Sequence, residues 1–171
     1  MGIKRLFNKM FCHKSNLAEQ MNRDITDADV NKSVEYNTIS FRPGFELTEL
    51  PIVSLYQGEH FFTFLLDTGS NDSIIDSNIL DKIEHTMTEE KSELYGMEGN
   101  SREVHKCNIT FSCNGTEFPY IYLINDMSLP FSRIKAETGV TLHGIIGSKF
   151  FNKYKYVLDF DKLIAYSKKK C

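Results

Sequence analysis

No run of apolar residues in this 171-residue chain approaches the roughly 20 that a membrane-crossing helix requires. Charge of either sign is not in excess: 20 Lys and Arg stand against 23 Asp and Glu, a net −3 at pH 7, so general attraction to nucleic acid is excluded. No internal repeat and no low-complexity tract occurs, which excludes solenoid and fibrous architectures. A Gly-x-Ser-x-Gly elbow and a cysteine-protease signature are both missing, so an acyl-enzyme route has no support. The stretch from Gly139 to Gly144 has the glycine spacing of a phosphate loop, but Ile145 and Ile146 stand where Lys and Ser or Thr would be needed.

Cysteines are few: Cys12, Cys107, Cys113 and Cys171. The middle pair lies in "CNITFSC", where residues 107, 109, 111 and 113 share one strand face. Six residues of extended chain span about 20 Å, so these two thiols cannot bridge each other within one strand. With no signal peptide in evidence, reduced core cysteines in a cytoplasmic protein are the expectation. His105 and Cys107 offer only two close ligands and Cys113 lies far along the strand, while His13, His60, His85 and His143 form no ligand motif, so neither metal nor other cofactor is expected. Three Asn-x-Ser/Thr sequons, at Asn71, Asn108 and Asn114, are incidental without secretion.

Length and composition fit one domain with a tail. In "MGIKRLFNKMFCHK", Ile3, Leu6, Phe7, Met10 and Phe11 recur at helical spacing among Lys4, Arg5, Lys9 and Lys14, the pattern of a basic amphipathic helix. Residues 1–14 therefore suit weak contact with an anionic membrane surface or a partner, packing on their own domain being the plain alternative. Leu6 argues against myristoylation of Gly2. From Ser15 to about Ser40 the chain turns polar and acid-leaning, the reading of a linker or weak helix, so residues 1–40 form an extension and 41–171 the domain.

Short strands dominate that domain. Hairpins are predicted around Gln57-Gly58-Glu59, Asn114-Gly115 and Asp161-Lys162, with short helices at "NILDKIE" and "SKFFNKY". The fold class is mostly β. Within it, "FTFLLDTGSNDSIID" inserts Asp67-Thr68-Gly69-Ser70 between two apolar arms. An ionised Asp is costly to bury alone, so Asp67 belongs at the top of a tight loop, exposed, paired or retained for chemistry. Gly69 and Ser70 favour that turn.

"LLDTGSNDSIID", followed about 80 residues later by "LHGIIGSKFF", resembles the two signatures of retropepsin-like aspartic proteases, the single-domain relatives of pepsin. The resemblance spans roughly residues 47–167 and implies a closed retropepsin-like β-barrel with one or two short helices, beyond a helical or disordered N-terminal extension. It also implies an aspartic endopeptidase. Only one Asp-Thr-Gly is present, so Asp67 would have to meet Asp67 of a second copy in a homodimer acting on peptide or protein substrates. By the same resemblance, Thr68 would bond across the dimer axis, Gly69 and Ser70 would shape the loop, and Ile145, Ile146 and Gly147 would pack beneath it. A hairpin flap would come from "LYGMEGNSREV", with Tyr95, Gly96, Met97 and Gly99 nearest substrate. The competing expectation is a non-catalytic module that keeps the same fold for dimerisation or peptide binding.

Overall fold

The computed structural model describes residues 37–95 and 101–167. The basic segment 1–14 and the polar stretch to residue 36 lie outside the described residues. In chain order the elements are β1 (Asn37–Ser40), α1 (Arg42–Thr48), β2 (Ile52–Gln57), β3 (His60–Asp67), β4 (Ile74–Asp76), a 3-10 helix (Ser77–Lys82), β5 (Thr86–Tyr95) and β6 (Ser101–Cys113). They continue with β7 (Thr116–Asn125), α2 (Ser128–Thr138), β8 (Gly144–Gly147), α3 (Ser148–Tyr154), β9 (Tyr156–Asp159) and β10 (Ile164–Ser167).

Six strands in the order β2-β3-β8-β4-β7-β6 form a barrel, which closes where Tyr56 of β2 pairs with Ser112 of β6. β5 lies outside the ring and pairs with β6. A separate sheet, β1-β10-β9, packs alongside. Mostly β with short helices is therefore the observed class. No helix among the described residues is long and apolar enough to cross a membrane.

Local chemistry explains the hairpins. Along β6, Cys107, Ile109, Phe111 and Cys113 are buried while Asn108 and Thr110 are exposed, the period of two that a barrel wall demands. Asn114 and Gly115 both take positive φ (49° and 77°), the geometry a tight hairpin needs to match strand twist. Inside the barrel, Phe64, Phe111 and Tyr122 meet with ring centroids 5.1–6.1 Å apart. Such tilted and edge-to-face contacts add to the burial of three large side chains.

Three elements depart from expectation. The linker reading extended to Ser40, but Asn37–Ser40 pairs antiparallel with Ile164–Ser167 and buries Ile39, so the domain boundary falls earlier. The stretch Arg42–Thr48 is a helix: Pro43 presets φ in its first turn, and Gly44 lets it press on β2, where a Cβ would lie 2.5 Å from the Ile52 carbonyl oxygen. α2 had no assignment in the sequence reading, and Phe131 is its one fully buried residue. The short helix expected at "NILDKIE" is present as a 3-10 helix over Ser77–Lys82.

Ahead of β8, the Thr63 amide donates to His143 Nδ1 at 3.0 Å, and the Thr63 hydroxyl donates to the Thr141 carbonyl. Burial pushes the His143 pKa down, with Lys82 and Lys135 adding to the effect and Asp76 opposing it. A protonated ring cannot accept from Thr63. An unfolded histidine titrates near 6.5, so this contribution to stability is complete above about pH 6.5 and is lost as pH falls from there towards the lowered folded value. Urea denaturation at about pH 7.5 and about pH 5 is expected to show a smaller acid loss in His143→Gln than in the native chain. Equal losses would assign the slope to other groups.

Candidate active site

β3 drives Phe62, Phe64 and Leu66 into the core and ends on Asp67, which is half-buried, while Thr68 and Gly69 beyond it are exposed. The chain then returns inward at Ile74 and Ile75. Asp67 Oδ1 accepts the Gly69 amide at 2.9 Å and its carbonyl accepts the Ser70 amide at 3.2 Å, so the carboxylate is steadied by its own turn. No basic side chain pairs with Asp67 among the described residues.

β3 and β4 are consecutive, yet they do not pair with each other. β8 lies between them, parallel to β3 (Leu66 opposite Ile146, Asp67 opposite Gly147) and antiparallel to β4 (Ile74 opposite Ile145). Ile146 faces the barrel core and Ile145 packs on the apolar cluster of Ile52, Ile74 and Leu142. The two glycines of "GIIG" make this insertion feasible. A Cβ at Gly144 would lie 2.5 Å from the Ile74 carbonyl oxygen and 2.5 Å from the Phe64 ring, and one at Gly147 would lie 2.4 Å from the Asp72 carbonyl oxygen. Those distances are far inside van der Waals contact.

α3 starts directly after Gly147 with no side-chain cap. Its first amides are satisfied by the Asp67 loop instead: Ser148 N–H donates to the Ser70 carbonyl (2.8 Å) and Lys149 N–H to the Asn71 carbonyl (3.0 Å). The Gly147 amide donates to Ser73 Oγ at 3.0 Å, and Lys149 Nζ pairs with Asp72 Oδ1 at 2.7 Å. Strand end, loop and helix start are thus zipped into one unit.

Residues 67–70 and 145–147 of the expected site come together in this unit. Tyr95 stands apart from it, 69% exposed at the end of β5 opposite Ser101, with its phenol donating to Glu93. The arms of the expected flap therefore form a hairpin, and Leu94 and Val104 near its end join the cluster containing Ile74 and Ile145. Gly96, Met97 and Gly99 lie outside the described residues. Ser73, Asp72 and Lys149 had no place in the expected site. Ser73 is the last of a run of polar residues before two isoleucines, and its partner Gly147 stands 74 positions away.

Other chemistries find little here. Among the described residues no group of three His, Cys, Asp or Glu side chains could hold a metal. Burial pushes the Cys107 and Cys113 thiols up to about 11, so neither is a thiolate near neutral pH. A cleft of about 620 Å³ opens on the outer face of β6 and β7, lined by Tyr56, Gln57, Asn108, Ser112, Tyr120 and Lys153, and Asp67 does not border it. The nearby carboxylates in sequence are already engaged: Asp72 with Lys149, and buried Asp76 with Asn78 and the Met127 amide.

Compared with known proteins, the chain matches no family model and no curated protein.

Two substitutions separate the close backbone approach from the surface ion pair. Gly147→Ala is expected to lower unfolding stability by about 2 kcal/mol or more, because its Cβ meets backbone that cannot step aside. Lys149→Ala, which breaks a largely exposed pair, is expected to cost less than about 1 kcal/mol. Urea midpoints in the reverse order would show that the loop does not depend on the glycine contact.

Proposed function

We propose that this protein is an aspartic endopeptidase that acts as a homodimer, two Asp67 carboxyls meeting across a two-fold axis. The observation that carries the reading is the Asp67-Thr68-Gly69 loop itself. Its carboxylate stands at a strand end, half-buried and without a basic partner among the described residues, held by backbone bonds on both flanks. The resemblance of "LLDTGSNDSIID" and "LHGIIGSKFF" to the retropepsin-like signatures supports it, as does a closed barrel of six strands.

Hydrolysis by such a pair needs one proton shared between two carboxyls. The ionised member takes a proton from water as its oxygen attacks the scissile carbonyl, while the protonated member donates to the carbonyl oxygen. The tetrahedral intermediate then collapses, the C–N bond breaks and a proton passes to the leaving amine. Thr68 would tie the two loops together across the axis. By the same resemblance, a flap that includes Tyr95, Gly96, Met97 and Gly99 would cover the substrate and exclude water. Extended peptides with large apolar side chains at the cleavage point suit a site backed by Ile74 and Ile145.

The test is cleavage of a mixed peptide library by the native chain and by Asp67→Asn, with products read by mass and assembly by sedimentation. Native cleavage is expected to fall by about 10³-fold or more in the variant. It is also expected to follow a bell-shaped pH profile on the acid side of neutral, since the two titrations belong to the pair. Specific activity should rise with protein concentration until dimers saturate. Dimers that bind peptides without cutting them would favour a peptide-binding module, and cuts that survive Asp67→Asn would sink the assignment.

A further inference from the structure

We propose that α2 walls the pocket for the apolar side chain beside the scissile bond, through Ile134 and Val140, an assignment that rests on the peptidase reading above. Strand alternation puts Thr63, Leu65 and Asp67 on one face of β3, since Phe62, Phe64 and Leu66 fill the barrel core on the other. Register carries that face across five strands: Ile52 stands opposite Leu65, Leu65 opposite Ile145, Ile145 opposite Ile74, and Ile74 opposite Leu123. All five side chains belong to one apolar cluster. Ile52, Ile74 and Leu123 are 0%, 6% and 3% exposed, whereas Leu65 and Ile145 in the middle of the row are only half-buried. The row is thus covered towards both ends and open at its centre. Asp67 lies two residues beyond Leu65, about 7 Å along the strand. Gly147, its register partner, lies two beyond Ile145. The opening therefore adjoins the carboxylate, within reach of a side chain flanking the bond under attack.

Part of the cover comes from α2 and the segment that follows it. Phe131 of α2 and Leu142 beyond it are buried in the cluster, while Ile134 and Val140 pack against it with some of their surface free. One side chain joins these two: Thr138 Oγ1 donates to the Ile134 carbonyl at 2.7 Å and accepts the Val140 amide at 3.2 Å. Between them Gly139 takes a left-handed φ of 77°, which turns the chain off the helix, and its amide donates to the Lys135 carbonyl at 2.8 Å. The chain then runs beside β3, where the Thr63 hydroxyl donates to the Thr141 carbonyl and the His143 amide donates to the Thr63 carbonyl at 2.8 Å. Thr63 shares its face with Leu65 and Asp67, so these bonds hold Val140 at the margin of the opening. Leu129, in the first turn of α2, is 76% exposed and lies outside the cluster. An opening floored by Leu65 and Ile145 and walled by Ile134 and Val140 offers a charged side chain no partner, so it takes aliphatic or aromatic ones. The wall then sets how large they can be.

In a two-fold dimer each subunit supplies one such pocket, one on either side of the cut. Two matched peptides, with Phe or Val at both residues flanking the cut, read the wall as a ratio of kcat/KM. A methylene in a hydrophobic pocket is worth about 10- to 200-fold in such a ratio. Ile134→Ala and Val140→Ala are each expected to raise the Phe:Val ratio by about 10-fold, and Val140→Phe to lower it by about as much. Leu129→Ala, on the exposed side of the same helix, is expected to leave the ratio unchanged. Should Ile134→Ala fail to fold, Val140→Phe, at a half-buried site beyond the helix, carries the decision. A native ratio in the folded variants would overturn the wall while leaving the peptidase reading intact. An equal shift in Leu129→Ala would also overturn it, by marking a general loosening of α2. A native chain with no Asp67-dependent cleavage would overturn both.

Discussion

Everything around Asp67 depends on one backbone contact, the insertion of β8 between two strands that are neighbours in sequence. A β-strand needs about 4.8 Å on each side for its ladders, and here Gly144 and Gly147 bring the β3–β4 arms closer than any side chain would allow. With β8 in place, the outward path of β3 and the inward path of β4 are fixed separately. The residues between them must then bridge a gap one strand wide. Asp67 stands at the lip of that bridge because it is the last residue of β3 that still has a ladder partner.

The bridge also solves a problem for α3. A helix that begins on a glycine has no side chain to satisfy its first amides, and carbonyls from residues 70 and 71 fill that role. Helix and loop are therefore mutually dependent. Loop residues usually tolerate change because they carry little structure, whereas this loop is part of the wall.

Features legible in the sequence were those whose causes are local. Alternation along "CNITFSC" and the Asn114-Gly115 turn predicted a hairpin that the structure contains, since a period of two and a positive-φ pair need only adjacent residues. The Asp67 turn was readable for the same reason. β1 was not, because its partner lies in residues 164–167 and its own four residues bury one large side chain, Ile39. Helix α2 was hidden by a face with a single fully buried residue. Ser73 illustrates the deeper limit: nothing in "NDSIID" distinguishes a turn serine from one that carries a hydrogen bond across 74 positions. Gly144 was readable as a glycine but not as a contact, since Phe64 and Ile74 approach it from distant parts of the chain.

The order of assembly follows from the same insertion. Synthesis delivers β3, the loop and β4 long before β8, which follows Asp67 by about 80 residues. Hairpins such as β2–β3 and β6–β7 can form as they emerge, because their contacts are local. The gap between β3 and β4 has to wait, held open or misfilled, until the short segment Gly144–Gly147 arrives. A nascent chain therefore carries its Asp67 loop through about 80 residues of synthesis without the strand and helix that hold it in place.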